Sequence, residues 1–176
     1  MGLIRRSTHL GLGFSSATGF AFSDRLHTRV GIRADLASGD AQRGDGALNS
    51  FDPLFPSAIS YAGSSGLLGP TNLLDAGPTI RVSPSRGLTV TVGSPVFWRQ
   101  SLADGVYLIT TSPVPQLARS QARFVGVNPD VGLRWEFDRH LQVTALLSHF
   151  FLGPFLRDTT PGRAVNYGYT AISYRF

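Results

Sequence analysis

A chain of 176 residues that is 42% hydrophobic but only 15% charged falls short of the roughly 25% charge of soluble domains, so it lacks side chains to coat a wet surface. No run of about 18 uninterrupted apolar residues occurs, which excludes a membrane-spanning helix but not strands that are only alternately apolar. Cysteine is absent, excluding disulfides and thiolate sites, and the net charge of +5 comes wholly from arginine.

The missing lysine fits codon usage in a GC-rich genome as well as it fits recognition of carboxylates by guanidinium forks. The opening "MGLIRRSTHLGLGFSS" has an Arg pair but only a short, Gly-interrupted apolar stretch. That makes a poor signal peptide, and for an exported protein the expectation is a fragment or a misplaced start.

Seven segments with period-two alternation are predicted in chain order, at 9–23, 27–37, 74–83, 87–99, 121–137, 140–152 and 164–176. In the second, Val30, Ile32, Ala34 and Leu36 share one face, and Arg29, Gly31, Arg33 and Asp35 the other. In the fifth, Val125, Val127, Val131, Leu133, Trp135 and Phe137 oppose Gly126, Asn128, Asp130, Gly132, Arg134 and Glu136. One face is too apolar for solvent and the other too polar for a core, a conflict that lipid outside and water inside would resolve.

Three joins are short and turn-like, "SDRL", "PSRG" and "FDRH", with Asp suited to tight turns. The other three, 38–73, 100–120 and 153–163, are long and rich in Gly, Pro and Ser. Alternating short and long connections are a signature of outer-membrane barrels. Aromatics gather near strand ends, at Phe20 and Phe22, Phe97 and Trp98, Trp135 and Phe137, Phe150 and Phe151, and Tyr174 and Phe176, where headgroup-depth rings or core packing would account for them. The final "YTAISYRF" looks like the closing strand that such proteins present to their assembly machinery.

Several stretches in order, "LASGD" (36–40), "FDPLFP" (51–56), "GLLGPTNL" (66–73), "GLTVTVGSPVFWRQSLADGVY" (87–107) and "FVGVNPDVGLRWEFDRHLQVTALLSHFFLGPFL" (124–156), resemble the alginate export family of outer-membrane barrels. The resemblance implies an all-β fold: an antiparallel transmembrane β-barrel segment of about seven strands. It would be the C-terminal portion of a barrel of about 18 strands, within the range of single-chain outer-membrane barrels. Residues 1–176 then form a single partial barrel domain, located in the bacterial outer membrane of a Gram-negative cell.

The function this implies is a porin-like channel segment passing an anionic polysaccharide (an alginate-like polyuronate) or small anionic solutes. The face parity assigns Arg29, Arg33, Arg81, Arg99, Arg134 and Arg175, with Asp35, Asp130 and Glu136, to the pore wall, where guanidinium groups would attract carboxylates. The alternative is a truncated or structural barrel fragment without transport activity of its own, in which these groups brace the wall as Arg–Asp/Glu ladders. The loop motif Phe51, Asp52, Pro53, Leu54, Phe55 and Pro56 would fold into the mouth or shield its rim. Partners expected are outer-membrane lipid, the anionic polysaccharide or solute, and the barrel-assembly machinery.

Catalysis finds no support. Ser148 and His149 are adjacent on a strand and point to opposite faces, and His9, His27 and His140 lack ligand-like spacing. No metal, cofactor, enzyme activity or nucleic-acid partner is expected, and no convincing helix is predicted.

Overall fold

The computed structural model describes residues 10–42, 49–54, 66–110, 112–114, 120–160 and 162–176. Its strands are β1 (Gly13–Ala21), β2 (Arg29–Ala37), β3 (Leu73–Ser85), β4 (Leu88–Gly93), β5 (Val96–Arg99), β6 (Phe124–Val127), β7 (Asp130–Glu136), β8 (Leu141–Leu152) and β9 (Val165–Tyr174). All belong to one sheet and every ladder is antiparallel.

Nine strands stand where seven segments are predicted, because proline interrupts two of them. Proline has no N–H to give a ladder, so the run 88–99 breaks at Ser94 and Pro95 into β4 and β5. Both still pair with β3, β4 through Thr79–Ser85 and β5 through Leu73–Ala76. The absence of a Cβ on Gly77 leaves room for Pro95, whose Cα lies 2.5 Å from where that Cβ would be. Asn128 and Pro129 divide β6 from β7 in the same way. There the fully buried Asn128 patches the gap, its N–H donating to Pro95 O at 2.9 Å and its Nδ2 to His149 O at 3.2 Å.

The sheet runs from β1 through β2 and β3, divides into the β4–β7 and β5–β6 rows, and rejoins at β8, whose other side carries β9. No ladder joins β1 to β9 among the described residues, so each is a free edge. This corrects the expected barrel: the fold is an open antiparallel sheet. Period-two alternation shows that each strand has two unlike faces, but closure depends on edge pairing, which alternation does not encode.

The tight turns explain themselves chemically. Asp24 accepts from Thr28 N at 2.8 Å and Thr28 Oγ1 at 2.6 Å, and Asp138 Oδ1 accepts from His140 N and Leu141 N at 2.7 and 2.8 Å. These bonds, first the one from the Thr28 hydroxyl and first the one from His140 N–H, hold both carboxyls below the ordinary aspartate value of 3.8. A carboxyl depressed in the folded state stabilises the turn above its unfolded pKa and loses that contribution as pH falls through the folded value. Acidification below 3.8 is therefore expected to loosen both turns first. Amide exchange at Thr28, His140 and Leu141, corrected for its intrinsic pH dependence, checks this against mid-strand amides. In the third turn Gly87 adopts φ +76°, a left-handed conformation that glycine takes without strain.

A short helix, α1 (Pro154–Thr159), follows β8, where no helix is expected. Pro154 opens it with a preset φ, and Phe155 and Leu156 bury their side chains. Its role is packing. Leu68, Leu73, Phe97, Val106, Val125, Phe150, Phe155 and Leu156 form the buried apolar cluster, which lies at the long-loop end against the more polar sheet face.

Candidate functional site

The two sheet faces differ sharply. Phe14, Phe20, Val30, Ile32, Ile80, Val92, Val131, Trp135, Leu147, Phe151, Ile172 and Tyr174 share one face through the registers of neighbouring strands, and all are exposed. A continuous surface of large apolar side chains exceeds the isolated exposed residues normal in soluble proteins.

The opposite face carries Arg29, Arg33, Asp35, Asp75, Arg81, Thr89, Thr91, Arg99, Asp130, Arg134, Glu136, Gln142 and Thr144. Toward the tight-turn end it opens into a groove of ≈ 630 Å³ lined by Arg81, Thr89, Thr91, Arg134, Glu136 and Tyr169, among others. Arg134 Nη2 lies 3.1 Å from Glu136 Oε1 and 3.2 Å from Gln142 Oε1. Arg33 Nε lies 2.6 Å from Asp35 Oδ2. Across the β2–β3 ladder Arg29 faces Arg81 and Asp35 faces the buried Asp75. Arg175 lies just past β9, with its N–H on His140 O at 2.8 Å.

Arg99 stands apart. It is 2% exposed, and its guanidinium donates to Ala122 O from Nε and Nη2 at 3.1 and 2.7 Å. Nη1 donates to Leu102 O and Asp104 O at 3.3 and 3.0 Å, and Nη2 to Ser120 O at 3.0 Å. Its Cζ sits 4.1 Å from the Phe155 ring centroid, within cation–π range. This arginine serves as the nucleus of the loop end and faces no open water.

Around it the loops tie into one knot. Asn72 takes φ +50°, which asparagine tolerates better than most residues. Its Nδ2 donates to Ser101 O and Gly105 O at 3.0 and 2.7 Å, while its Oδ1 accepts from Ser101 N at 2.6 Å. Asp104 accepts from Asp40 N, Ser50 Oγ, Gly105 N and Tyr107 OH at 2.7–2.9 Å. Gln100 Oε1 accepts from Gly39 N at 3.0 Å. Phe51 joins by donating its N–H to Ser38 O and accepting from Thr71 Oγ1. Asp52, Pro53 and Leu54 continue from it with Leu54 exposed. Phe55 and Pro56 lie outside the described residues.

Two free edges and a loop end filled by side chains leave no enclosed lumen among the described residues. The expected arginine-lined anion channel, and with it the porin assignment, is thereby corrected: these arginines lie on one face of an open sheet, two of them paired with neighbouring carboxylates and one buried under the loops. Sequence reading misses Asn72 and Asp104, although "GPTNL" and "QSLADGVY" are conspicuous for placing short polar side chains among apolar ones, and it places Asn128 on the polar face without its bridging role.

An antiparallel sheet with one exposed apolar face and one polar face defines a class, the amphipathic-sheet proteins whose apolar side needs a non-aqueous neighbour. Within that class, residues 2–170 match the family described as alginate export, and the chain belongs to it. The match runs over nearly the whole chain. No curated protein matches it. Membership in an export family points to association with the outer membrane and away from catalysis; the chain is not an enzyme. Among the described residues no group of three or more His, Asp or Glu side chains could hold a metal ion.

Proposed function

We propose that this chain is a structural wall element of the bacterial outer membrane, without transport activity of its own. The observation that carries the reading is the contiguous exposed apolar face from Phe14 across the sheet to Ile172. Such a face is costly in water and at home against hydrocarbon. In this reading the chain corresponds to the C-terminal portion of a family member. Its free edges at β1 and β9 pair with other strands in the membrane, in the chain alone those of further copies, since unpaired strand edges are not tolerated in lipid. The ion pairs Arg33–Asp35 and Arg134–Glu136 brace the polar face. Outer-membrane lipid and the machinery that assembles outer-membrane proteins are its partners.

The test is reconstitution of the chain alone into planar bilayers. The expected result is membrane association without discrete conductance steps. Stable unitary steps carried by this chain would overturn the assignment, and so would full solubility as a monomer without detergent or lipid.

A further inference from the structure

The tight-turn end combines two features that point to one kind of partner. Each of its three turns carries an exposed arginine: Arg25 between β1 and β2, Arg86 between β3 and β4, and Arg139 between β7 and β8. Arg175, at the end of β9, is exposed at the same rim. None of Arg25, Arg86 and Arg139 makes an ion pair among the described residues. The nearby acids are otherwise engaged. Asp24 and Asp138 turn their oxygens onto backbone N–H groups and the Thr28 hydroxyl, and Glu136 faces Arg134. Arg139 Nε donates to His140 Nε2 at 2.8 Å, which leaves its two terminal nitrogens for an external acceptor.

At the same end of the sheet, on the apolar face, lie three aromatic pairs at the ends of β1, β7 and β9. Phe20 and Phe22, Trp135 and Phe137, and Tyr174 and Phe176 meet edge-on with centroids 5.0, 5.3 and 5.3 Å apart. Aromatic rings favour the depth of lipid headgroups, where an arginine one turn further out meets phosphate. A guanidinium fork binds phosphate oxygens in two-point contacts.

We infer that the tight-turn rim is a docking edge for anionic phospholipid, with Arg25, Arg86 and Arg139 pairing with the headgroup phosphates of lipids whose chains lie against the aromatic pairs. This rests on the membrane placement proposed above. Charge complementarity selects an anionic lipid over a zwitterionic one, because a basic side chain at an anionic surface supports about a fivefold preference.

The two tryptophans allow both readings to be separated. Trp135 lies at the rim, opposite Leu88 on β4, and Trp98 at the loop end, beside Phe124. Single-tryptophan chains, Trp98→Phe and Trp135→Phe, are refolded into mixed phosphatidylcholine–phosphatidylglycerol vesicles in which one lipid or the other carries brominated acyl chains. At Trp135, brominated phosphatidylglycerol is expected to quench several-fold more effectively than brominated phosphatidylcholine at equal fraction. The difference should vanish in Arg25→Gln/Arg86→Gln/Arg139→Gln and persist in Arg157→Gln/Arg163→Gln, which removes exposed arginines at the other end. Trp98 should show no such difference.

Equal quenching by the two lipids at Trp135, an equal preference at Trp98, or a preference surviving the triple substitution overturns the docking edge while leaving the membrane placement standing. Absence of quenching by either lipid overturns both.

Discussion

Replacing Arg99 by Leu is expected to release the loop end from the sheet while leaving the strands assembled. The guanidinium satisfies four carbonyls, Ala122, Leu102, Asp104 and Ser120, which belong to two separate stretches of chain. Each hydrogen bond to a charged group contributes about 1.5–3 kcal/mol, and truncation leaves buried acceptors unsatisfied. Even with incomplete additivity the loss should reach about 4 kcal/mol, at the severe end for one substitution. Arg99→Lys should fare little better, because one ammonium on a flexible stem cannot reproduce a planar fork. Arg81→Gln, at an exposed position on the same sheet face, should cost no more than about 0.5 kcal/mol. Limited proteolysis within 100–110, followed beside the far-ultraviolet strand signal, distinguishes the cases. Equal protection of Arg99→Leu and Arg81→Gln would show that Arg99 is not the nucleus of this end.

That contrast also marks where sequence reading stopped. Alternation in "LHTRVGIRADL" and "VGVNPDVGLRWEF" assigned Val30, Ile32, Val131 and Trp135 to one face and Arg29, Arg33 and Arg134 to the other, and the strand registers place them so. A strand's pleat makes this inference local and hence legible. Arg99 obeys the same parity, yet its surroundings come from segments 3 to 56 residues away, which no periodicity reports. The pattern likewise could not show that no ladder joins β1 to β9 among the described residues, since edge pairing concerns strands distant in the chain.

The quoted family-like motifs gain a physical meaning that their residues alone did not disclose. "LASGD", the start of "FDPLFP", "GPTNL" and "RQSLADGVY" meet at one place, where Asn72, Asp104 and Gln100 tie the backbones together. Gly39 belongs there because a Cβ would strike the Asn72 side chain, which its own hydrogen bonds hold in place. A buried polar network of this kind tolerates few substitutes. The apolar residues Leu68 and Val106 of the same loops, with Phe155 of α1, complete the cluster beneath it. Apolar loop residues on a polar sheet face thus form a core assembled on that face.

Placing an arginine at Leu147 should cost about 2–4 kcal/mol in a bilayer, the penalty for a cation at the midplane of a lipid-facing strand. Leu147 lies near the middle of β8, 71% exposed on the apolar face, with Gly168 opposite on β9. Val131 stands opposite on β7, but the exposure of this position leaves a longer side chain room to turn outward, so packing weighs little in the outcome. In water the same substitution would fall within about 0.5 kcal/mol, because an exposed leucine gives way to a well-hydrated arginine. Thr144→Arg supplies the internal control. It sits three residues earlier on the same strand, on the polar face lining the groove beside Arg134 and Glu136. An arginine there meets water, with the like charge of Arg134 directly opposite and Glu136 beside that, and its cost should stay within about 1 kcal/mol. Urea unfolding of both variants in phosphatidylcholine vesicles, followed by tryptophan emission, gives the comparison. A Leu147→Arg penalty no larger than that of Thr144→Arg would mean that the exposed apolar face does not meet hydrocarbon, and the wall-element reading would fall with it.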